Sequence, residues 1–410
     1  MCKNWPKYVP IFASFISFGK TQILWSTRRE NKTLMKMPFA DISTPGIDLD
    51  TQNHSSNWTT TNSEIFNEVR LYAILVPVVW GFLTFVGSFG NALVIYTLIR
   101  YGDKNATNYF VINLAISDFA FIVIVVPFTA TMYAIPDWIF GNGMCKITMY
   151  MIYVTLHATC LTLTAMTIDR YCAIVYAVRS MNWRTPRASL IICIVVWLVS
   201  FLFSLPFAIF FRTVEVMNPD KHIYCNEMWP EPKEVWSKGS IIGVVTTTYV
   251  VPLSVIIFCY TRILKTLWQT RAQSTSNGYS KIVQAQERRR TRVTKMVVSI
   301  VLLFAIFWLP IHVVNLWLKL DENFPKTHFM FGVKVFAHSL SYANSCVNPF
   351  VYAFLSDEFR KSFRKSFPQL AQKLHLCTNT VDDEVKSGGN TECTRLVLTQ
   401  EGKHLMETDL

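Results

Sequence analysis

The chain has 410 residues, of which 51% are hydrophobic, 14% aromatic and 16% charged, and its formal net charge is +12. Soluble domains carry about 25% charged residues, and the apolar residues here gather into long runs, so the pattern excludes a string of soluble domains and identifies a polytopic membrane protein. Ten cysteines, most of them inside apolar runs, also exclude a disulfide scaffold.

Residues 1–69 form a polar segment rich in Ser, Thr and Asn, expected to be largely disordered. It carries three N-x-[ST] acceptors, at Asn31, Asn53 and Asn57. Lys3 and Lys7 precede a short apolar run without a small-residue cleavage site. That run reads as an ordinary leader, or as a start-site extension ahead of Met35 or Met37, rather than a cleavable signal. Apolar runs long enough to cross a bilayer as helices, roughly 20 residues each, cover 72–99, 109–134, 146–169, 188–211, 239–264, 296–318 and 330–354. The loops after spans one, three and five, and the segment after span seven, are rich in Lys and Arg, whereas 212–238 is mixed in sign. The positive-inside bias therefore places the N-terminus outside and the C-terminus in the cytoplasm. The basic residues are membrane flanks, and no nucleic-acid partner is expected. The expected fold is an all-α membrane protein: a seven-transmembrane helix bundle over 70–355, then a short amphipathic eighth helix over 356–368. In that helix Phe359, Phe363 and Phe367 recur every four residues, as in a helix lying in the membrane interface. A largely disordered cytoplasmic tail, 369–410, follows.

A charge inside lipid needs a reason. Asp118 is the one carboxylate deep within a span, and Thr159, Asn344, Ser345, Asn348 and the Trp308 indole are placed to converge on it. A carboxylate among neutral oxygens suits a sodium ion or a proton. Asp169-Arg170-Tyr171 closes span three, as a simple interfacial ion pair or as a switch in which Arg170 changes partners. Cys145 and Cys225 fall outside near span ends, in an oxidising compartment, where they can pin the 212–238 loop to the top of span three. Pro127, Pro206, Pro252, Pro310 and Pro349 punctuate the spans and predict kinks.

Gly90-Asn91, Asn113-Leu-Ala-x-x-Asp118, Cys145, Asp169-Arg170-Tyr171, Trp197, Pro252 with Tyr260, Phe304-x-x-x-Trp308-x-Pro310 and Asn348-Pro349-x-x-Tyr352 resemble the rhodopsin-like class of G-protein-coupled receptors in order and spacing. The resemblance covers about 70–367 and implies a Cys145–Cys225 disulfide, an allosteric sodium site at Asp118 and a toggle at Trp308. It also implies a microswitch group of Arg170, Tyr260 and Tyr352. Ile152 stands where amine receptors place their acid, and Tyr342 where opsins place the retinal lysine. The segments around Val126, Trp138, Ala158 and Ala337 look most like kisspeptin receptors, with galanin and allatostatin-A receptors close behind. That likeness implies a plasma-membrane receptor for a short, amidated neuropeptide. It leans toward Gq and calcium release; the alternative is a galanin- or allatostatin-A-like receptor coupled to Gi/o. Ala177 departs from the class, which has proline there, and Arg290 stands near where relatives place an acid that locks Arg170.

The upper halves of spans two, three, six and seven offer Tyr133, Met149, Ile152, Tyr153, His312, Asn315, Lys334, His338 and Tyr342 as a ligand pocket, with His312, Asn315 and His338 as partners for a terminal carboxamide. No buried acid is expected nearby, so a ligand arginine should meet Asp137, Glu227, Asp321 or Glu322 at the loops. Inside, Arg170, Val178 and Arg292 are expected to face the G protein. In the tail, Cys377 is a palmitoylation candidate, Ser387, Thr391, Thr394 and Thr399 are sites for a receptor kinase and arrestin, and Thr408 with Leu410 matches a PDZ-binding end. Asp118 alone in the lipid core argues against a seven-span transporter or channel, the remote alternative. No metal-ligand or nucleophile cluster suggests an enzyme.

Overall fold

A computed structural model describes residues 58–369 except 136, 181, 219, 277–280 and 326; the side chains of 58–70, 218, 220, 270–289 and 328 are not described. Asn31, Asn53, Asn57, Cys377, the tail phosphosites, Thr408 and Leu410 lie outside the described residues. Seven long helices follow in order: α1 (Trp58–Tyr101), α2 (Ala106–Ala134), α3 (Gly141–Val175), α4 (Pro186–Phe210), α5 (Lys233 to Ser276), α6 (Lys281–Leu320) and α7 (His328–Leu355). A short α8 (Asp357–Ser366) closes the bundle, and a hairpin, β1 (Phe211–Asn218) with β2 (Asp220–Glu227), joins α4 to α5.

Six of these helices are long and apolar enough to cross a membrane. α7 has the length, 28 residues or about 42 Å at 1.5 Å per residue, but is more polar because Lys334, Ser341, Asn344, Ser345 and Asn348 all turn inward and are buried. The outward faces are the reverse: Phe82, Phe85 and Phe89 of α1 and Leu202 of α4 are each about two-thirds exposed or more. A continuous apolar girdle of that size is a liability in water and an asset in lipid. The protein is a multi-pass membrane protein.

Local signals set the helix starts. Asn105, Thr185, Thr327 and Ser356 each accept a hydrogen bond from the backbone N–H three residues on, and Pro186 follows Thr185 at the first helical position. Asn105 thus caps α2, and its amide donates to Glu358 of α8 at 2.7 Å. Two of the span prolines, Pro127 and Pro252, are handled by one mechanism. A π turn, Phe121–Val125, immediately precedes Pro127, and another, Thr246–Val250, precedes Pro252. The extra residue in the turn absorbs the proline's missing N–H and its ring.

Buried polar side chains then fix which helices touch. Asn113 accepts from the Trp197 indole at 2.9 Å and donates to Thr162 at 2.7 Å, tying α2, α3 and α4. Asn91 donates to the carbonyls of Gly87 and Ser345 at 2.9 and 2.8 Å, tying α1 to α7. Glycines allow that approach: a Cβ at Gly87 would stand 2.9 Å from Cys346 Sγ of α7 and 2.3 Å from Ile122 Cδ1 of α2, and one at Gly90 would stand 3.0 Å from the Pro349 ring.

The hairpin was absent from the sequence reading, in which 212–238 is only a loop. It pairs antiparallel with Phe211 opposite Glu227 and Thr213 opposite Cys225. The loop between α2 and α3 clasps it: the Trp138 N–H donates to the Ile223 carbonyl at 2.7 Å, and the Ile223 N–H to the Asp137 carboxylate at 2.8 Å. That backbone bond, with a smaller contribution from His222, holds the Asp137 carboxyl below the usual range against the opposing effect of burial. α8 differs from expectation in one respect. Its Phe359 and Phe363 are 5% and 9% exposed and belong to the bundle core, so protein rather than lipid covers most of its apolar face.

Candidate functional site

A cavity of about 130 Å³ lies between α3, α5, α6 and α7, under the hairpin. Helical spacing explains its walls. Met149, Ile152 and Tyr153 of α3, His312 and Asn315 of α6, and Lys334, His338 and Tyr342 of α7 recur three or four residues apart and so share a face of their helix. All the expected pocket residues line it except Tyr133. That ring sits behind His338 instead, 5.2 Å from Trp80 and 6.3 Å from the His338 ring. Trp308 and Phe121 also line the cavity, 6.3 Å apart.

Most of the lining is apolar or aromatic, with a few polar atoms left over. His312 Nε2, His338 Nε2 and Trp308 Nε1 are buried without a hydrogen-bond partner in the protein. Buried polar atoms are almost always paired, so three orphaned ring nitrogens beside one cavity mark where an incoming ligand can bond. Tyr342 is instead satisfied, donating to Thr129 at 3.1 Å with its ring 4.5 Å from Trp80.

Glu227 departs from the loop role expected of it. It lines the cavity, its side chain is 12% exposed, and it pairs with Lys319 of α6. The Ser237 hydroxyl of α5 donates to the same carboxylate oxygen at 2.7 Å, and Lys319 Nζ donates to Ser237 at 3.0 Å. A half-buried acid therefore borders the cavity, one of the four the sequence offered for a ligand arginine. The missed signal was strand alternation: Glu227 follows Cys225 by two, so both point to one face of β2. Cys225 is bonded to Cys145 with Cα atoms 5.5 Å apart, which seats this end of β2 on the top of α3.

Deeper in the bundle, Asp118 accepts from the Ser345 hydroxyl and the Asn348 amide, both at 2.7 Å. The other expected neighbours do not bond it. Thr159 pairs with Ser117 at 3.2 Å, and the Trp308 indole is turned to the cavity. Asn344 Oδ1 and Asn348 Oδ1 are buried carbonyl oxygens with no donor. A carboxylate with spare amide oxygens is a hard oxygen set of the kind a sodium ion takes.

At the α8 end, Arg170 is folded onto its neighbour. It donates to Asp169 at 2.5 Å and to Thr107 of α2 at 2.7 Å. Arg184, given only a topological role from the sequence, adds a two-pronged contact to Asp169 at 2.8 and 2.9 Å. No spacing rule links residues fifteen apart across a loop, so nothing in the sequence pointed to this pair. Of the two tyrosines expected to join Arg170, Tyr260 lies within electrostatic reach of it and beside Thr167, whereas the buried Tyr352 hydroxyl has no partner among the described residues. Tyr171 faces Phe258 and Tyr176. Phe304 lies 6.0 Å from Trp308, which precedes Pro310 by two residues within α6. Val178 is 86% exposed, and Arg292 pairs with Asp357 of α8 at 2.9 Å.

Comparison with known proteins matches residues 90–352 to the rhodopsin family of 7 transmembrane receptors. G-protein coupled receptor 54 of Oreochromis niloticus is 39% identical over 322 residues, covering 77% of this chain and 85% of that protein. The allatostatin-A receptor of Bombyx mori is 37% identical over 75% of this chain and 84% of its own. Galanin receptor type 2 of Rattus norvegicus is 36% identical over 72% and 76%.

Proposed function

Because the chain belongs to the rhodopsin family of 7 transmembrane receptors, and not to an enzyme family, we propose that it is a plasma-membrane receptor for a short, amidated neuropeptide of the kisspeptin type, signalling through Gq. Its N-terminus faces outward and its C-terminus the cytoplasm. The observation that carries this is the cavity beneath the hairpin. Its apolar walls and the orphaned nitrogens of His312 and His338 suit a neutral terminal carboxamide, which offers both a donor and an acceptor. A galanin- or allatostatin-A-like ligand with Gi/o coupling is the second reading, favoured by the similar identity of those relatives. Arg170, Val178 and Arg292 at the α8 end form the surface for the G protein, and the tail serves arrestin, a receptor kinase and a PDZ protein.

The test is intracellular calcium and cyclic AMP in cells expressing the chain, challenged with kisspeptin-like, galanin and allatostatin-A peptides and with the free-acid form of each amidated one. A calcium rise to an amidated peptide, lost with its free acid, is the expected result. A change in cyclic AMP alone selects the second reading. Silence from every peptide, with receptor at the surface, rejects both.

Asp118 with the amide oxygens of Asn344 and Asn348 would hold a sodium ion. When bound, the ion supplies positive charge to a carboxylate that otherwise rests on neutral donors. Sodium is then expected to lower agonist affinity by about fivefold, a coupling of ordinary size. Asp118→Asn should flatten that dependence in radioligand competition, and a mutant that still responds to sodium excludes this site.

A further inference from the structure

α8 is fastened to α1, α2 and α7. Glu358 accepts from Asn105 at the start of α2, the Ser362 hydroxyl donates to the Tyr101 carbonyl of α1 at 3.4 Å, and Phe367 packs 6.2 Å from Tyr96. Arg360 donates to the carbonyls of Ala353 and Phe354 at the end of α7, and also to one carboxylate oxygen of Asp357. Asp357 is therefore a fixed acceptor in the first turn of α8, where a negative charge also suits the helix N-terminus. Its other oxygen accepts from the Arg292 guanidinium of α6 at 2.9 Å. Burial alone would raise the Asp357 carboxyl, but the Arg292 hydrogen bond and the two guanidinium charges bring it below the usual carboxylate range.

Arg292 sits on the more movable side of this pair. It stands eighteen residues before Pro310, about 27 Å along the helix at 1.5 Å per residue. Proline removes a backbone hydrogen bond, so α6 bends most easily near that point. A bend of about 10° would carry Arg292 roughly 5 Å, beyond the reach of an ion pair. The arginine and aspartate side chains are 63% and 41% exposed, so water and salt weaken the pair and it braces the fold little. Opening it also orphans no acid, because Asp357 keeps Arg360. A contact of this kind is readily made and broken. We propose that Asp357 is a positioning residue for the G-protein surface: in the resting receptor it holds this end of α6 against α8 and keeps the Arg292 guanidinium from the G protein. When α6 swings out, an acidic group of the G protein replaces Asp357 as the partner of Arg292. The inference rests on reading Arg292 as part of that surface, whereas the holding of α6 is testable without any G protein.

The first arm puts an environment-sensitive bimane on Lys295→Cys, an exposed position three residues on from Arg292, in full-length receptor in nanodiscs. Parent receptor without the reporter gives the background. Asp357→Asn and Arg292→Gln should each shift the resting emission, and the double variant should add nothing to either, since all three open one pair. The exchange Arg292→Asp with Asp357→Arg should return the emission toward wild type. Raising the salt from about 0.05 to about 0.5 M should move the wild type toward the variants and leave the variants in place. If Asp357→Asn does not reach the surface, Arg292→Gln and the salt series carry this arm. Emission that neither the variants nor salt moves overturns the proposal. The second arm measures basal calcium and cyclic AMP, normalised to surface receptor. Asp357→Asn should raise basal output about two- to threefold, in keeping with an exposed pair. Arg292→Gln should not raise it, because the group it removes is the one the G protein takes. Unchanged basal output in an Asp357→Asn receptor that answers agonist, or an equal rise in both variants, overturns the withholding of Arg292. No output from any receptor, alongside the expected emission shifts, rejects the G-protein reading while the first arm supports the holding of α6.

Discussion

Arg170→Ala is expected to abolish agonist-stimulated signalling while leaving receptor at the cell surface and peptide affinity within about threefold of wild type, since coupling between the two ends is modest. The reason lies in how the acid beside it is held. With Arg170 gone, Asp169 still receives two hydrogen bonds from Arg184, so no buried carboxylate is orphaned and the fold tolerates the change. Asp169→Ala should act in the opposite direction. It leaves the guanidiniums of Arg170 and Arg184, 12% and 20% exposed, without their counter-charge. Breaking a nearly buried pair costs about 3 kcal/mol, and that cost falls on the conformation in which Arg170 is folded onto Asp169. Ligand-independent signalling should rise at least about tenfold, the factor that about 1.4 kcal/mol of population shift produces. Basal and stimulated second-messenger levels, normalised to surface receptor, measure both. A silent Asp169→Ala receptor at normal surface density would remove the switch role from this pair.

Cys145→Ser is expected to cost at least about 100-fold in peptide affinity, since a misplaced set of contacts at a central pocket removes several kcal/mol. The bridge spans a sequence separation of 80 residues. The chain-entropy relation gives about 4.5 kcal/mol for a loop of that length, an upper bound because inserted helices already restrict the reduced chain. The clasp from Trp138 and Asp137 still holds the middle of the hairpin. The losses therefore concentrate at the cavity end of β2, where Glu227 is positioned. Saturation binding and the half-life of thermal inactivation report the two effects separately. Wild-type affinity in the serine variant would show that the clasp alone positions Glu227.

The seven-helix architecture was legible because lipid imposes a length of apolar sequence that no soluble helix needs. The helices outrun that signal at both ends: α3 reaches from Gly141 to Val175 and α6 starts at Lys281, because backbone hydrogen bonding continues after hydrophobicity stops. Asp118 announced its own importance, since a charge in lipid demands partners, and Ser345 and Asn348 were found among the polar residues of α7 for that reason. The α7 pocket residues Lys334, His338 and Tyr342 were expected from their place in the upper half of the span, and their spacing of four puts them on one face.

What the chain could not specify locally were contacts whose geometry depends on several elements at once. Lys319 and Glu227 are 92 residues apart and meet only when the bridge, the hairpin and the end of α6 are all placed. Arg184 reaches Asp169 through a loop with no periodicity, and Tyr133 lies behind His338 rather than in the cavity because Trp80 of α1 draws its ring to that side. Sequence alone determined the solvent, the number of crossings and the residues too polar to sit in lipid unaided, because each is a property of one segment and its surroundings. The tertiary structure decided which of those residues pair and which buried polar atoms stay unpartnered, because a hydrogen bond or ion pair requires two atoms within about 3 Å, and helix packing alone brings them there.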